Sequence, residues 1–77
     1  MTTLAELAPG QRARVRQVQG TDVISLRLLE MGLTPGCEVD FVGVAPFGDP
    51  IEIALRGYHL SLRRSEAARV EIEPIET

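Results

Sequence analysis

The stretch RLLEMGLTPG, residues 27–36, lies near the middle of the chain and decides how its fold is interpreted. Apolar residues recur three and four positions apart from Val23 to Met31, which is the spacing of one helical face. Gly32 suits the left-handed residue that closes many helices, and the Pro-Gly pair that ends the stretch is a turn signal. The sequence therefore predicts a helix over residues 23–31, capped by Asp22 or Thr21, and then a tight turn.

Segments in which apolar and polar residues alternate lie on both sides of this helix. A period of two is typical of half-buried β strands. The alternating segments, separated by turns that contain glycine or proline, are residues 12–18, 38–44, 51–55, 58–63 and 70–72. They predict a mainly β fold: a small five-stranded β-barrel with one α-helix after the first strand and a short helical turn before the last. A closed barrel would leave no exposed strand edge.

Several local details of these strands can also be predicted. Gly43 is expected to mark a bend or a bulge in the second strand, and Arg56-Gly57 to form a tight turn. A short helical turn is expected over residues 66–69, with Ser65 as its cap. Because proline has no backbone N–H, Pro74 is expected to stop the last strand.

Composition limits the classes of function. The 77 residues suit one domain, residues 1–77, whose core is thin because so short a chain buries only roughly 60% of its unfolded surface. The formal net charge of −3 argues against nucleic acid or anionic lipid as the main partner. A single cysteine, Cys37, excludes an internal disulfide and favours a reducing cytoplasm. Neither a signal-peptide pattern nor a long apolar run is evident, so we expect no membrane insertion.

Catalytic groups are sparse in this sequence. The single cysteine and the single histidine, Cys37 and His59, are far apart along the chain, and no third orienting group is indicated. The glycines are scattered singly, and none belongs to a phosphate-binding loop. We therefore expect a protein that is not an enzyme.

Metal binding is a closer question, because His59 is a candidate ligand. Leu60 and Leu62 share one face of their strand, so His59 points to the other face, where Glu52 on the preceding strand can reach it. Such a pair is at most half of a zinc or iron site. The simpler interpretation is a solvated histidine beside a carboxylate. No cofactor is required in either case, and weak binding of Fe²⁺ or Zn²⁺ stays open.

Taken in order, these motifs resemble the FeoA family of ferrous iron transport protein A. The helix and turn of residues 27–36 look like those of the family, and the other matching positions are Leu4, Leu7, Gly10, Pro46, Gly48, Asp49, Pro50, Ile51, Gly57, Leu60, Leu62, Arg63, Glu66 and Ala67. The resemblance implies an SH3-like barrel in the bacterial cytoplasm that supports FeoB, a membrane transporter with a GTP-binding domain. A related fold occurs in iron-dependent repressors, and the alternative function is a metal-responsive regulatory module of that kind.

The resemblance and the residue patterns together suggest a docking surface. The exposed side of the helix, with Arg27 and Glu30, and the turn that follows, with Leu33 and Pro35, are expected to contact the GTPase domain of FeoB. Phe47 joins this surface if it is exposed, and caps the barrel if it is buried. We expect a cytoplasmic protein that is recruited to the inner face of the membrane through the transporter, with at most weak self-association.

Overall fold

The computed structural model describes residues 2–75, and these form one antiparallel sheet around one hydrophobic core. The strands are β1 (Arg12–Val18), β2 (Glu38–Val44), β3 (Ile51–Leu55), β4 (Tyr58–Leu62) and β5 (Val70–Ile75). The helices are α1 (Val23–Glu30), α2 (Arg64–Ala67) and a 3₁₀ turn (Leu4–Glu6). The prediction of five strands, a helix after the first and a short helix before the last is confirmed.

The sheet has the order β4-β3-β2-β1-β5 and curls around the core. Two irregularities bend it, one in β1 between Val15 and Gln17 and one in β2 between Phe41 and Gly43. Bulges of this kind bend a strand and increase its twist, and the expected irregularity at Gly43 is confirmed. Within the described residues β4 and β5 do not pair with each other, so the barrel is open and the expectation of a sheet without edges is wrong.

The core is built from the inward side of every strand, from α1 and from the 3₁₀ turn. Its buried apolar residues are Leu4, Leu7, Ala13, Val15, Leu28, Leu33, Cys37, Val39, Phe41, Ile51, Ile53, Leu55, Leu62, Ala67, Val70 and Ile72. Leu33 has no exposed surface, so the expectation that Leu33 contacts a partner is wrong. The physical reason is that burying the large apolar side chain of this turn in the core is more favourable than leaving it in water.

A network of polar groups fixes the start of α1. The Asp22 carboxylate accepts a hydrogen bond from the Ser25 N–H at 3.1 Å, which confirms Asp22 as the cap. The buried Ser25 hydroxyl donates to the Gln19 carbonyl at 2.6 Å, and the Arg69 guanidinium donates to Asp22. The bonds from Arg69 and from the Ser25 N–H hold the pKa of Asp22 at about 2, below its ordinary value.

Two details near the end of the chain differ from the sequence-based expectation. Helix α2 begins at Arg64 with Arg63 as its cap, so Ser65 lies inside the helix. The Glu66 carboxylate accepts a hydrogen bond from the Arg63 N–H at 3.0 Å, and this fixes the earlier start. Strand β5 continues past Pro74 because it is an edge strand, where a residue without an N–H can face away from the sheet.

The outer face of the sheet carries exposed charges in pairs. Across β1 and β2, Arg12 Nε lies 2.9 Å from the Asp40 carboxylate and Arg14 lies 3.4 Å from that of Glu38. Exposed pairs of this kind contribute little to stability. Arg16, the third arginine of β1, is exposed as well.

Candidate functional site

An open cleft of about 810 Å³ lies between α1, the turn that joins β2 to β3, and the end of β4. Its lining residues are Ile24, Arg27, Asp49, Pro50, Ser61, Arg63, Ser65 and Glu66. They come from separate segments of the chain, which meet only in the folded protein. The cleft is therefore a product of the fold and has no signature in any one stretch of sequence.

Helix α1 is held at two points, once by β4 and once by α2. At its C-terminal end the Tyr58 hydroxyl, on β4, donates a hydrogen bond to the Met31 carbonyl. In its middle Arg27 forms an ion pair with Glu66 of α2. Hydrogen bonds from the Arg63 N–H and from Arg27 lower the pKa of Glu66, which keeps this carboxylate charged in weak acid. The cleft thus has walls of defined position.

The β2–β3 turn is held in place by Arg64, the first residue of α2. The Arg64 N–H donates to the Asp49 carboxylate at 2.9 Å, and its guanidinium donates to the Gly48 carbonyl at 3.1 Å and to the Ala5 carbonyl at 2.8 Å. One residue, through its backbone N–H and its guanidinium, therefore fastens the turn to α2 and to the 3₁₀ turn. Phe47, at the tip of the fastened turn, is fully exposed. The sequence left open whether Phe47 is exposed or buried against the barrel, and the structure shows that it is exposed.

The predicted docking residues do not form one surface. Arg27 lines the cleft, and the turn that carries Phe47 borders the same cleft through its last residues. Glu30 and Pro35 are exposed, but neither lines the cleft. Leu33 is part of the core. The structure thus brings together Arg27 and the Phe47 turn and leaves the other three apart from them.

Sequence reasoning missed several residues of this region. Ser61 and Arg63 were recognisable as outward-facing residues from the alternation of β4, but nothing in the sequence placed α1 beside them. Val23 and Leu26 are among the apolar residues from which α1 was predicted, yet they are 77% and 55% exposed. The role of Arg64 in holding the turn has no signal in the sequence, because its partners lie far away along the chain.

The predicted contact between His59 and Glu52 is present. His59 Nδ1 lies 2.6 Å from the Glu52 carboxylate on the exposed face of the β3–β4 hairpin. Within residues 2–75, no group of three or more histidine, cysteine or acidic side chains is arranged to hold a metal ion. Because a structural zinc needs four ligands, these two residues do not fit a complete metal centre. A metal site here stays a prediction that requires ligands from outside the chain.

Comparison with known proteins places these features in a family. Residues 2–74 match the FeoA domain. The chain belongs to the FeoA domain family. A curated relative, the Fe(2+) transport protein A/Fe(2+) transporter FeoB fusion protein of Porphyromonas gingivalis, is 40% identical over 72 residues. These cover 94% of this chain but 8% of the relative, so the FeoA-domain chain corresponds to a small part of that protein.

Solved structures show the same fold. Iron(II) transport protein A from Clostridium thermocellum is 35% identical with a TM-score of 0.90, over 96% of this chain and 46% of that one. A zinc complex of FeoA from Stenotrophomonas maltophilia, called a prokaryotic SH3 domain protein, is 36% identical with a TM-score of 0.85, over 95% of this chain and 91% of that one. The predicted SH3-like fold is confirmed. IdeR of T. acidophilum, 21% identical with a TM-score of 0.84, shares the fold alone.

Proposed function

We propose that this FeoA-domain chain is a non-enzymatic accessory module of ferrous iron uptake, which docks on the cytoplasmic GTP-binding part of an FeoB transporter. The fusion relative supports this pairing, since its name joins both proteins in one polypeptide. A covalent link raises the effective concentration of one partner for the other, and this favours contact between them. The separate chain would have to make the same contact by affinity alone.

The observation that carries the proposal is the complete exposure of Phe47 beside the cleft. An aromatic ring in water adds nothing to the core, and it becomes favourable only when a partner removes it from water. Aromatic side chains are frequent anchors of protein interfaces. Because Arg64 already fastens the turn at Gly48 and Asp49, the backbone beside Phe47 loses little conformational freedom when the ring binds.

The cleft and α1 extend this anchor into a surface. Arg27 lines the cleft, and Val23, four residues earlier on the same side of α1, exposes an apolar side chain. A mixture of exposed apolar groups and arginine is typical of the central part of protein interfaces. The docking surface is therefore proposed to comprise the cleft, the outer side of α1 and Phe47.

The positions of the potentially reactive side chains favour binding over catalysis. Cys37 is buried, whereas His59 is exposed and bonded to Glu52, so the two side chains with the most reactive atoms face different environments.

The fusion relative also bears on location. It joins an FeoA part to an FeoB transporter, and on this basis we propose that the chain acts in the cytoplasm and reaches the inner face of the membrane by binding the transporter. Among residues 2–75 themselves, none of the helices is long and apolar enough to cross a membrane.

Isothermal titration of the chain with the cytoplasmic GTP-binding domain of FeoB from the same organism tests the proposal. Phe47→Ala should weaken binding at least about tenfold, the effect of losing roughly 1.4 kcal/mol, while its free energy of unfolding changes by no more than about 0.5 kcal/mol. Arg27→Glu should also weaken binding, and Arg16→Glu, the same charge reversal on β1, should not. Absence of binding by the wild type, or unchanged binding by both variants, contradicts the proposal.

A metal-responsive role through His59 and Glu52 is the second candidate, and it rests on their 2.6 Å contact. Because the pair supplies two ligands, binding by the isolated chain should be weak and should depend on the histidine. Titration of Zn²⁺, or of Fe²⁺ without oxygen, into wild type and His59→Ala measures this dependence. Equal binding by the two proteins removes the candidate.

A further inference from the structure

Strand β4 has one side without a neighbouring strand in the described part of the chain. The Arg56-Gly57 turn joins Leu55 to its partner Tyr58, and its two residues have φ values of 50° and 84°. Positive φ at both positions is typical of a type I′ hairpin, whose closing pair exchanges two backbone hydrogen bonds. Because such bonds alternate along an antiparallel ladder, the N–H and C=O groups of His59 and Ser61 point away from β3, along the free edge.

The other edge of the sheet, β5, is protected. Thr3 pairs with Glu71, and the Ile72 N–H donates to the Thr2 carbonyl at 2.9 Å. Further along, Pro74 presents no N–H. Proteins commonly cover a strand edge or place proline on it to prevent unwanted pairing. Strand β4 has neither device among residues 2–75, so its edge is available for pairing.

The free edge of β4 borders the cleft. Ser61 lies on one wall, and Ile24 and Arg27 of α1 lie on the other. An added strand runs roughly 4.8 Å from its neighbour, with side chains directed alternately to the two faces of the sheet. A strand placed along β4 would therefore have α1 at its outer side and the end of the β2–β3 turn ahead of it.

The charges of the cleft favour an acidic occupant. The carboxylate of Asp49 accepts the Arg64 N–H, and that of Glu66 accepts Arg27 and the Arg63 N–H. Both acidic groups of the cleft are thus already engaged. The Arg63 guanidinium forms no ion pair with any residue from 2 to 75. The Arg63 charge acts on Glu66 only at longer range, so a carboxylate brought into the cleft would be its first direct ion-pair partner among the described residues.

We infer that the β4 edge binds an extended, acidic segment of the transporter's cytoplasmic part as a sixth strand. The segment exchanges backbone hydrogen bonds with His59 and Ser61, and one of its carboxylates pairs with Arg63. This mode of recognition, in which the main chain supplies affinity and side-chain positions supply specificity, is known for other exposed sheet edges. The inference rests on the proposed docking function and specifies its geometry.

Amide hydrogen exchange measured by NMR on the wild-type chain, with and without saturating GTP-binding domain of FeoB, reports the pairing directly. The amides of His59 and Ser61 should exchange at least about tenfold more slowly in the complex. In the free chain they lie at an unpaired sheet edge, where amides exchange readily with solvent. The Ile72 amide, already bonded to Thr2, is the internal control and should change little. Slower exchange that grows with the concentration of the chain alone would assign the edge to a second copy and overturn the inference.

A variant pair makes the test independent of exchange rates. Ser61→Pro removes a donor that points away from β3 and should weaken binding at least about tenfold, whereas Ser61→Ala keeps the donor and should bind like wild type. Arg63→Glu should weaken binding as well, with Arg16→Glu as the control for charge. If Ser61→Pro does not fold, the exchange measurement on the wild type decides.

The outcomes separate the two proposals. If the wild type binds the domain while the His59 and Ser61 amides exchange as before, and Ser61→Pro binds like Ser61→Ala, strand addition is overturned and docking through another part of the surface stands. If the wild type does not bind the domain at all, both proposals fall.

Discussion

The two edge strands of the sheet, β4 and β5, are finished in different ways. Strand β5 pairs with β1 on one side and is covered on the other by Thr2 and Thr3, and it also carries Pro74. Strand β4 pairs with β3 alone, and its free side borders a cleft. One edge is closed by the chain itself, and the other is left open between fixed walls.

This difference bears on how a small protein limits unwanted pairing at an open strand edge. An unrestricted edge accepts any extended chain, including a second copy of itself. Beside β4, however, α1 is tied by the Tyr58–Met31 hydrogen bond and by the Arg27–Glu66 ion pair, so an approaching strand must enter between β4 and a helix of fixed position. An edge of this kind is selective because of its surroundings.

The largest expected loss of stability comes from loosening the N-terminal segment that covers the edge of β5. Leu4, completely buried, anchors the segment that contains Thr2 and Thr3. Leu4→Ala should lower the free energy of unfolding by about 2–5 kcal/mol, because it leaves a cavity in the core, and should speed exchange of the Ile72 amide. Urea denaturation followed by circular dichroism measures the loss. Leu26→Ala, the same change at an exposed position, should stay within about 0.5 kcal/mol; equal losses would contradict the prediction.

A substitution at Gly32 tests how α1 is held beside β4. Gly32 has a φ of +106°, and a Cβ at this position would lie 2.9 Å from the Tyr58 hydroxyl oxygen. Gly32→Ala should destabilise by about 2–3 kcal/mol, the sum of left-handed strain and a lost hydrogen bond to Met31. Gly36→Ala has a similar φ of +91° and meets no atom within 4 Å, so it should lose only about 1–2 kcal/mol. The difference between their unfolding midpoints isolates the contact with Tyr58, and identical midpoints would argue against it.

A substitution in the Arg56-Gly57 hairpin turn, which joins β3 to β4, should change stability by a smaller amount and should increase it. Arg56 has a φ of 50°, a conformation that asparagine adopts more readily than arginine. Arg56→Asn should therefore raise the free energy of unfolding by about 0.5–1 kcal/mol. Thermal unfolding measures the gain, and Arg16→Asn, on an extended strand, should show none. A destabilised Arg56→Asn variant would contradict the assigned turn.

The last effect is visible only in acid and concerns the start of α1, the helix that forms the outer wall. The pKa of Asp22 is about 2 in the folded protein and close to its ordinary value of about 4 in the unfolded chain. Its stabilising contribution is therefore complete above about pH 4 and is lost as the pH falls towards 2. Asp22→Asn keeps a capping side chain, so its stability should fall less steeply over this range than that of wild type. Urea midpoints at pH 4, 3 and 2 compare the slopes, and parallel slopes would contradict the prediction.

Features that depend on neighbours in sequence were predictable. The alternation of residues 12–18 located β1, and the spacing of apolar residues with Asp22 as cap located α1. The pairing of His59 with Glu52 followed from two alternating strands joined by a tight turn. In each case the decisive contact lies within one element or between two consecutive ones, so the pattern of a short stretch contains it.

Features that depend on distant segments were not predictable. Pro74 was expected to end β5 because the sequence does not reveal which strands lie at the edges, where proline is tolerated. Leu33 was assigned to a surface together with the patterned turn that contains it, yet its side chain completes the core. The cleft is lined by residues 24–27, 49–50 and 61–66, and no pattern within any one of these segments indicates that they lie together.

The pairing of Thr3 with Glu71 also has a consequence for protein engineering. It places residues 2 and 75 near one another, because β5 runs only a few residues beyond Ile72, which is bonded to Thr2. A short glycine linker would join them. A circular permutant opened between Phe47 and Gly48 would then keep every strand pairing of the sheet. In such a molecule the aromatic anchor would sit at a new terminus, freed from the fastening by Arg64, and its loss of rigidity could be studied apart from the stability of the barrel.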